Sequence, residues 1–170
     1  GQDYVYGTEV DEVLIMTDVT SGDVYYYNHD GLGSVAEITD DTGALVEYYT
    51  YDPYGNTSVY DSSDILQTTS TVGNPYGFTG RRLDSETNLY YYRARTYNPE
   101  IGRFLQRDPM GYVDGMNLYS YVMNNPTSYI DPWGLTKKSL NIEQAIKELS
   151  RSKAMQRYPR LLRILNEKYE

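Results

Sequence analysis

Short stretches in which apolar or aromatic residues alternate with polar ones dominate the first 135 residues. This period of two is typical of strands with one buried face. The stretches span residues 4–7, 10–16, 24–28, 35–39 and 44–51. Turn residues separate them, so neighbouring stretches are expected to pair as antiparallel hairpins. Asp30-Gly31 predicts a two-residue hairpin turn, and Asp52-Pro53-Tyr54-Gly55-Asn56 predicts a turn with proline at its second position.

The pattern changes twice further along the chain. Residues 60–74 are polar and aperiodic, which predicts an exposed loop, whereas residues 89–96 predict another strand followed by a tight turn over residues 98–105. After residue 135, apolar residues recur at helical spacing on both sides of Pro159. Residues 140–168 therefore predict a helical pair, which is too short to build its own core.

Tyrosine accounts for 21 of the 170 residues, against two phenylalanines and one tryptophan. Tyrosine favours strands, forms cross-strand aromatic pairs and keeps a hydroxyl for water or a neighbour, which suits half-buried sheets. The chain has no cysteine, which excludes disulfides and thiolate catalysis. No apolar run approaches the roughly 20 residues of a membrane helix.

The formal charge of the chain also changes sign at residue 135. Residues 1–135 carry six arginines, no lysine and 20 acidic residues, a formal charge of −14, whereas residues 136–170 carry nine basic and four acidic residues, or +5. An acidic body argues against nucleic-acid binding by residues 1–135. The basic tail is compatible with a nucleic-acid or membrane-surface helix or with a delivered effector, but docking on the acidic body is the favoured interpretation.

Candidate chemistry centres on Asp108 and Asp131, which both begin an Asp-Pro-x-Gly stretch. Two carboxylates brought close together cannot both ionise, so such a pair can act as general acid and base on a peptide bond. The same residues are also ordinary turn formers. Arg107 could hold a carboxylate or the oxyanion of the reaction, with Arg103 as a second candidate; an ion pair within the acidic body is the alternative for both.

Other potential sites are discounted. His29 is the single histidine and lies in a predicted turn, where a solvent-facing role is expected. Without a second imidazole or a cysteine nearby, metal binding is not expected. Gly31-Leu32-Gly33 is not followed by the helix that a phosphate-binding loop requires. We therefore expect no metal and no cofactor.

Two loose repeats, at 25–35 and 49–59, share a Tyr-x-Tyr pair, an Asp turn, a glycine and a valine, and they resemble the YD repeat of RHS proteins. Residues 92–111, 117–126 and 131–135 resemble the signature of the RHS-associated core. The resemblance implies a mainly β fold for residues 1–135, with a Tyr-rich antiparallel YD-repeat sheet and an RHS core plug. Residues 136–170, the short α-helical tail, would be the variable cargo segment.

The resemblance also implies self-cleavage after the leucine of a Pro-x4-Asp-Pro-x-Gly-Leu motif. In this chain the motif is formed by Pro126, Asp131, Pro132, Gly134 and Leu135, with Trp133 at the variable position. The scissile bond would be Leu135–Thr136, cut by an aspartyl-type autoprotease that acts once on itself.

The expected function is thus the C-terminal part of an RHS-repeat, polymorphic toxin-like protein, which caps a repeat shell and frees its C-terminal segment. Expected partners are the docked tail, further repeats of a longer parent or other copies of the chain, and an immunity or delivery protein. Such a protein would be cytoplasmic before export and then secreted or displayed on the cell surface, through signals outside this sequence. The alternative is a non-enzymatic, Tyr-rich surface or fibre module that assembles through open sheet edges.

Overall fold

The computed structural model describes residues 1–135 together with 138–139. Its first seven strands form one sheet in which each strand pairs antiparallel with the next along the chain. The strands are β1 (Gln2–Tyr6), β2 (Val13–Asp18), β3 (Val24–His29), β4 (Val35–Thr39), β5 (Leu45–Tyr51), β6 (Thr57–Asp61) and β7 (Leu66–Gln67). This confirms the predicted mainly β architecture for the first part of the chain.

An aspartate at the end of one strand organises each of several hairpin turns. Oδ1 of Asp30 accepts hydrogen bonds from the backbone N–H groups of Leu32 and Ser34, both at 2.8 Å. Gly33 then adopts a φ of 77°, which glycine reaches without strain. The predicted two-residue turn at Asp30-Gly31 is therefore wrong, because the carboxylate stabilises a longer turn between Asp30 and Ser34. The same two bonds recur at Asp40, Asp52 and Asp61.

The core of this sheet lies on one face, and register shifts in two strand pairs bring residues that are three positions apart, such as Val13 and Met16, onto that face. One face contributes the buried side chains of Val13, Met16, Tyr27, Val35, Ile38 and Tyr49. On the other face Tyr26 is exposed, and the directly opposed rings of Tyr48 and Tyr60 stack with centroids 5.0 Å apart. Tyrosine therefore serves both faces, as the composition predicts.

The predicted exposed loop over residues 60–74 is confirmed for residues 62–65 and 68–69, which are exposed and lie outside the strands, but it is wrong for the rest of the segment. It contains the end of β6 and all of β7, and the residues that follow cover the fully buried carboxylate of Glu47. Ser70 Oγ donates to that carboxylate at 2.6 Å, and the Thr71 backbone N–H donates to it at 2.7 Å. The Tyr49 hydroxyl also donates to it. A buried carboxylate needs hydrogen-bond donors, so the polar residues of this segment pack against the sheet at Glu47.

Shorter elements follow. They are β8 (Arg82–Asp84), β9 (Leu89–Tyr92), β10 (Arg95–Asn98), β11 (Arg103–Phe104), β12 (Tyr129–Ile130) and β13 (Lys138–Ser139), with 3₁₀ turns at Phe78–Gly80, Tyr112–Asp114 and Val122–Asn124. The strand predicted over residues 89–96 is interrupted, because Arg93 adopts a φ of 60° and turns the chain between β9 and β10. None of the described helices is long and apolar enough to cross a membrane.

The chain divides into two compact units. The first comprises Gly1–Tyr91 and Asn98–Ile101, and the second comprises Tyr92–Tyr97 and Gly102–Glu170. The core of the second unit is aromatic: Tyr92, Tyr97, Phe104 and Tyr121 are each at most 2% exposed, with ring centroids between 4.5 and 5.8 Å apart. The helical pair predicted at 140–168 lies outside the described residues, and the domain boundary at residue 135 stays a prediction.

Candidate active site

The corner at residues 131–135 is built by the side chain of Asp131. Its Oδ1 accepts hydrogen bonds from the backbone N–H groups of Trp133, at 3.3 Å, and Leu135, at 3.1 Å. This is the bonding pattern of the hairpin turn at Asp30, and here too the glycine at the fourth position has a positive φ, of 65°. The corner is therefore the same kind of turn as the hairpin turn at Asp30, but here both Asp131 and Leu135 are buried.

Close packing makes Gly134 necessary at this corner. A Cβ atom at this position would lie 2.3 Å from the Tyr92 carbonyl oxygen and 3.1 Å from the Arg95 backbone nitrogen. The Ala94 N–H donates to the Trp133 carbonyl across the same contact, at 3.3 Å. The corner thus lies directly on the turn between β9 and β10.

Arg95, which begins β10, connects the corner to both candidate aspartates. Its Nη2 donates to Asp131 Oδ2 at 2.9 Å, and its Nη1 lies 3.1 Å from Asp108 Oδ2. Its Nε donates to the Gly134 carbonyl oxygen at 2.6 Å. One planar guanidinium therefore holds two carboxylates and the peptide group that precedes Leu135.

The surroundings of this cluster are apolar and closed. Arg95 is 4% exposed, Asp108 9% and Asp131 2%. The guanidinium carbon lies 3.6 Å from the centroid of the Phe104 ring, so the aromatic core fixes the plane of the arginine. Burial raises the pKa of Tyr121 well above its ordinary value, so this neighbouring phenol stays neutral.

Two carboxylates share one guanidinium in this cluster. Asp108 Oδ2 lies 3.1 Å from Arg95 Nη1, and Asp131 Oδ2 lies 2.9 Å from Arg95 Nη2. All three side chains are buried. Two neighbouring carboxyl groups, of which one is protonated, are the combination that general acid and base catalysis uses.

Asp108 occupies a second turn of the same kind. Its Oδ1 accepts from the Met110 N–H at 2.8 Å, its carbonyl accepts from Gly111, and its own N–H donates to the Leu118 carbonyl at 2.9 Å. These bonds fix the backbone of Asp108 and one of its carboxylate oxygens. Its other oxygen is thereby directed to Arg95.

The remaining predicted residues are placed as follows. Arg107 and Arg103 are exposed, so the arginine that contacts both carboxylates is Arg95 and neither of the predicted two. Pro126 and Pro132 are buried. Trp133 is half-buried, with the Arg93 guanidinium 4.6 Å from its ring centroid. Thr136 lies outside the described residues.

Sequence reasoning missed Arg95, although the alternation in β10 contains a signal for it. Arg95 and Tyr97 are two residues apart in one strand, and both are buried. Side chains two residues apart in a strand share a face. An arginine on the buried face of an aromatic strand requires acidic partners, and that requirement marks it as a candidate.

The Asp-Pro-x-Gly sequence alone does not determine which aspartates belong to the buried cluster. A third copy, Asp52-Pro53-Tyr54-Gly55, forms the same turn in the first unit, with Oδ1 of Asp52 accepting from Tyr54 and Asn56. Asp52 is exposed. What distinguishes Asp108 and Asp131 is burial against Arg95.

His29 differs from its predicted solvent-facing turn position. It is the last residue of β3 and is half-buried, with its ring stacked on Tyr27 at a centroid distance of 6.4 Å. Burial lowers its pKa below the ordinary histidine value, against the opposing influence of Glu12 and Asp30. Among the described residues, no group of three or more acidic, histidine or cysteine side chains is arranged to hold a metal ion.

Comparison with known proteins gives consistent matches. A family model described as Teneurin YD-shell matches residues 3–127. The chain is 35% identical over 135 residues to the tRNA3(Ser)-specific nuclease WapA of Bacillus spizizenii, which covers 77% of this chain and 5% of that protein. It is 31% identical over 132 residues to the double-stranded DNA deaminase toxin A of Burkholderia cenocepacia, which covers 75% of this chain and 9% of the relative.

A solved structure shows a similar fold. The crystal structure of TcdB2-TccC3-Cdc42 matches with a TM-score of 0.65 and 28% sequence identity, over 79% of this chain and 6% of that one. The chain therefore spans less than a tenth of the length of these relatives.

Proposed function

This chain belongs to the Teneurin YD-shell family, and from that premise we propose that it is the C-terminal part of a toxin-like YD-shell protein that cuts itself once, between Leu135 and Thr136. The observation that carries the proposal is the buried cluster in which Arg95 contacts Asp108, Asp131 and the Gly134 carbonyl. An aspartate pair is thereby held beside the residue on the amino side of the bond to be cut.

Distance supports Asp131 as the group that activates water. The Leu135 nitrogen lies 3.1 Å from Asp131 Oδ1, and its carbonyl carbon is about 2.5 Å from that nitrogen, so the carbon is within about 5.6 Å of the carboxylate. A water molecule that donates to the carboxylate and approaches the carbonyl carbon at about 3 Å fits within this distance.

The reaction is a single hydrolysis. Ionised Asp131 takes a proton from the water as its oxygen bonds to the Leu135 carbonyl carbon. Protonated Asp108 then gives its proton to the Thr136 nitrogen as the peptide bond breaks. Water is thus divided between a new carboxyl group on Leu135 and a new amino group on Thr136, and the two aspartates exchange protonation states.

Arg95 acts as a positioning residue in this scheme. Its fork of donors keeps the two carboxyl groups next to each other and holds the Gly134 peptide through Nε. Its charge also lets one carboxylate remain ionised in an apolar site. Arg107, proposed from the sequence for a similar role, is exposed.

The rest of the proposed function concerns the shell. The chain spans only a small fraction of its relatives, and β1 is an outer strand of the seven-stranded sheet. We place the preceding repeats of a longer parent at β1, where the sheet continues by strand pairing. In this arrangement residues 1–135 cap the shell, the segment from Thr136 is the cargo, and the protein is exported with an immunity or delivery protein as partner.

Substitution of the two aspartates tests the proposal. Asp131→Asn and Asp108→Asn keep an acceptor oxygen for their turns but lose the carboxylate, so each is expected to abolish the fragment that begins at Thr136, measured by intact mass. Arg95→Lys keeps the charge but loses the fork of donors, and it is expected to slow cleavage by at least about tenfold. Asp52→Asn is the matched control, because it alters the same turn away from the cluster, and it should be cut normally.

Three outcomes would contradict the proposal. A Thr136 fragment from either Asn variant would exclude the aspartate pair. Loss of cleavage in Asp52→Asn would show that turn stability, and not the cluster, is limiting. A folded wild-type chain that stays uncut and forms large assemblies in light scattering would support the non-enzymatic fibre module.

A further inference from the structure

The residues on both sides of the proposed scissile bond belong to one hairpin. β12 immediately precedes Asp131, and β13 follows Thr136 after one further residue. The two strands pair antiparallel, with Ile130 opposite Lys138 and Tyr129 opposite Ser139. The loop that joins them contains Asp131, Leu135 and the proposed scissile bond.

Different residues hold the two ends of that loop. On the amino side, the Leu135 N–H donates to Asp131 at 3.1 Å, and the Gly134 carbonyl accepts from Arg95 at 2.6 Å. On the carboxyl side, the backbone of Lys138 and Ser139 is aligned by β12. The bond between residues 135 and 136 therefore lies between two anchors that are only a few residues apart.

From this geometry we infer that β12 is a substrate-binding strand for the residues that follow the cut. It takes an extended backbone segment of the same chain by strand addition, through main-chain hydrogen bonds, and it thereby fixes the leaving side of the peptide bond against the aspartates. The inference rests on the proposed self-cleavage and deepens it, because it assigns recognition of the leaving segment to the backbone of residues 129–130.

The strand pairing also explains how one cut can be made without a separate substrate cleft. The hairpin needs only a short loop to close, so the loss of chain entropy on closure is small. The leaving segment is recognised through its backbone. Its side chains can therefore vary while the segment stays in register with β12.

Proline substitutions in β13 test this inference in the full-length chain. In an antiparallel pair, opposed residues alternate between hydrogen-bonded and non-hydrogen-bonded positions. One of Lys138→Pro and Ser139→Pro therefore removes a ladder donor, and the other does not. The chain is pulse-labelled in a cell-free translation reaction, and the Thr136 fragment is followed on a denaturing gel over time.

We expect one proline variant to be cut at least about tenfold more slowly than wild type, and the other to be affected less. Lys138→Ala and Ser139→Ala keep the backbone donors and should both be cut at the wild-type rate. Trp133 emission in the uncut proline variant should match that of Asp108→Asn, which is also expected to stay uncut and leaves Asp131 in the corner unchanged; the match would show that the corner still folds.

The possible failures are distinguishable. A wild-type chain that is not cut contradicts the proposed function itself. Wild-type cleavage together with unchanged rates in both proline variants overturns the role of β12 alone. Slow cleavage in the alanine variants as well would assign recognition to the side chains and would likewise overturn it.

Discussion

Replacing Gly134 with alanine should damage the site far more than the same change at Gly111. Both glycines end an Asp-Pro-x-Gly turn in the second unit, and both have positive φ, 65° and 73°. At Gly111 a Cβ would meet nothing within 4 Å, whereas at Gly134 it would lie 2.3 Å from the Tyr92 carbonyl oxygen. Comparing Gly134→Ala with Gly111→Ala therefore separates the cost of backbone strain from the cost of the steric contact with Tyr92.

The magnitudes follow from these contacts. Gly111 has a φ of 73° and a ψ of −137°, a conformation that costs alanine roughly 1 to 3 kcal/mol more than glycine, and this backbone strain is the whole expected loss at Gly111. At Gly134 the corner must also move away from Tyr92 by about 1 Å to restore an ordinary contact. That movement breaks the hydrogen bonds from Ala94 to Trp133 and from Arg95 to Gly134, which adds about 2 to 4 kcal/mol.

Urea unfolding followed by tryptophan fluorescence measures this difference, because Trp133 is the only tryptophan and lies in the corner. Both alanines are introduced into an Asp108→Asn background, so that cleavage does not change the molecule that unfolds. A difference of about 3 kcal/mol corresponds to a midpoint roughly 1 to 2 M lower for Gly134→Ala. In the native background, Gly134→Ala should also fail to cut after Leu135.

Equal urea midpoints for the two alanine variants would refute the reasoning, since they would show that Tyr92 does not press on the corner. Cleavage of Gly134→Ala at the wild-type rate would show that the contact between the corner and Arg95 is not needed for the reaction.

Two further predictions concern the first unit. Glu47→Ala leaves the donors of Tyr49, Ser70 and Thr71 without their buried acceptor. It should lower the free energy of unfolding, measured in urea, by about 3 kcal/mol, with a smaller loss for Glu47→Gln; equal losses would contradict this account. The folded-state pKa of His29 lies below the unfolded value of 6.5, so the neutral imidazole favours the folded state. The stability that His29 contributes in this way is fully present above pH 6.5. It is lost as the pH falls through 6.5 towards the lower folded-state pKa. His29→Phe should show a smaller loss of stability between pH 7.5 and 5.5 than wild type, and identical pH profiles would refute it.

Local patterns in the sequence were sufficient for most of the first sheet. The strand predicted over residues 35–39 matches β4, and the segment at 24–28 falls one residue short of β3. Alternation and turn residues act within a few positions, so they can be read without knowing what packs where. The Asp-Pro-x-Gly turns were predicted for the same reason. The two aspartates of the cluster could be named from their shared context, though the roles assigned to them here stay proposals.

Contacts between distant residues decided the rest. The turn at Arg93 has no glycine or asparagine to mark it, and it lies where Gly134, about 40 positions later, packs against Tyr92. Residues 70–71 are drawn onto the sheet by Glu47, more than 20 positions earlier. Three copies of one turn sequence differ in burial, and only the tertiary structure brings Asp108 and Asp131 to Arg95. The sequence determined which residues could turn the chain and carry charge, but packing determined which charges share an apolar site, because burial depends on residues far apart in the chain.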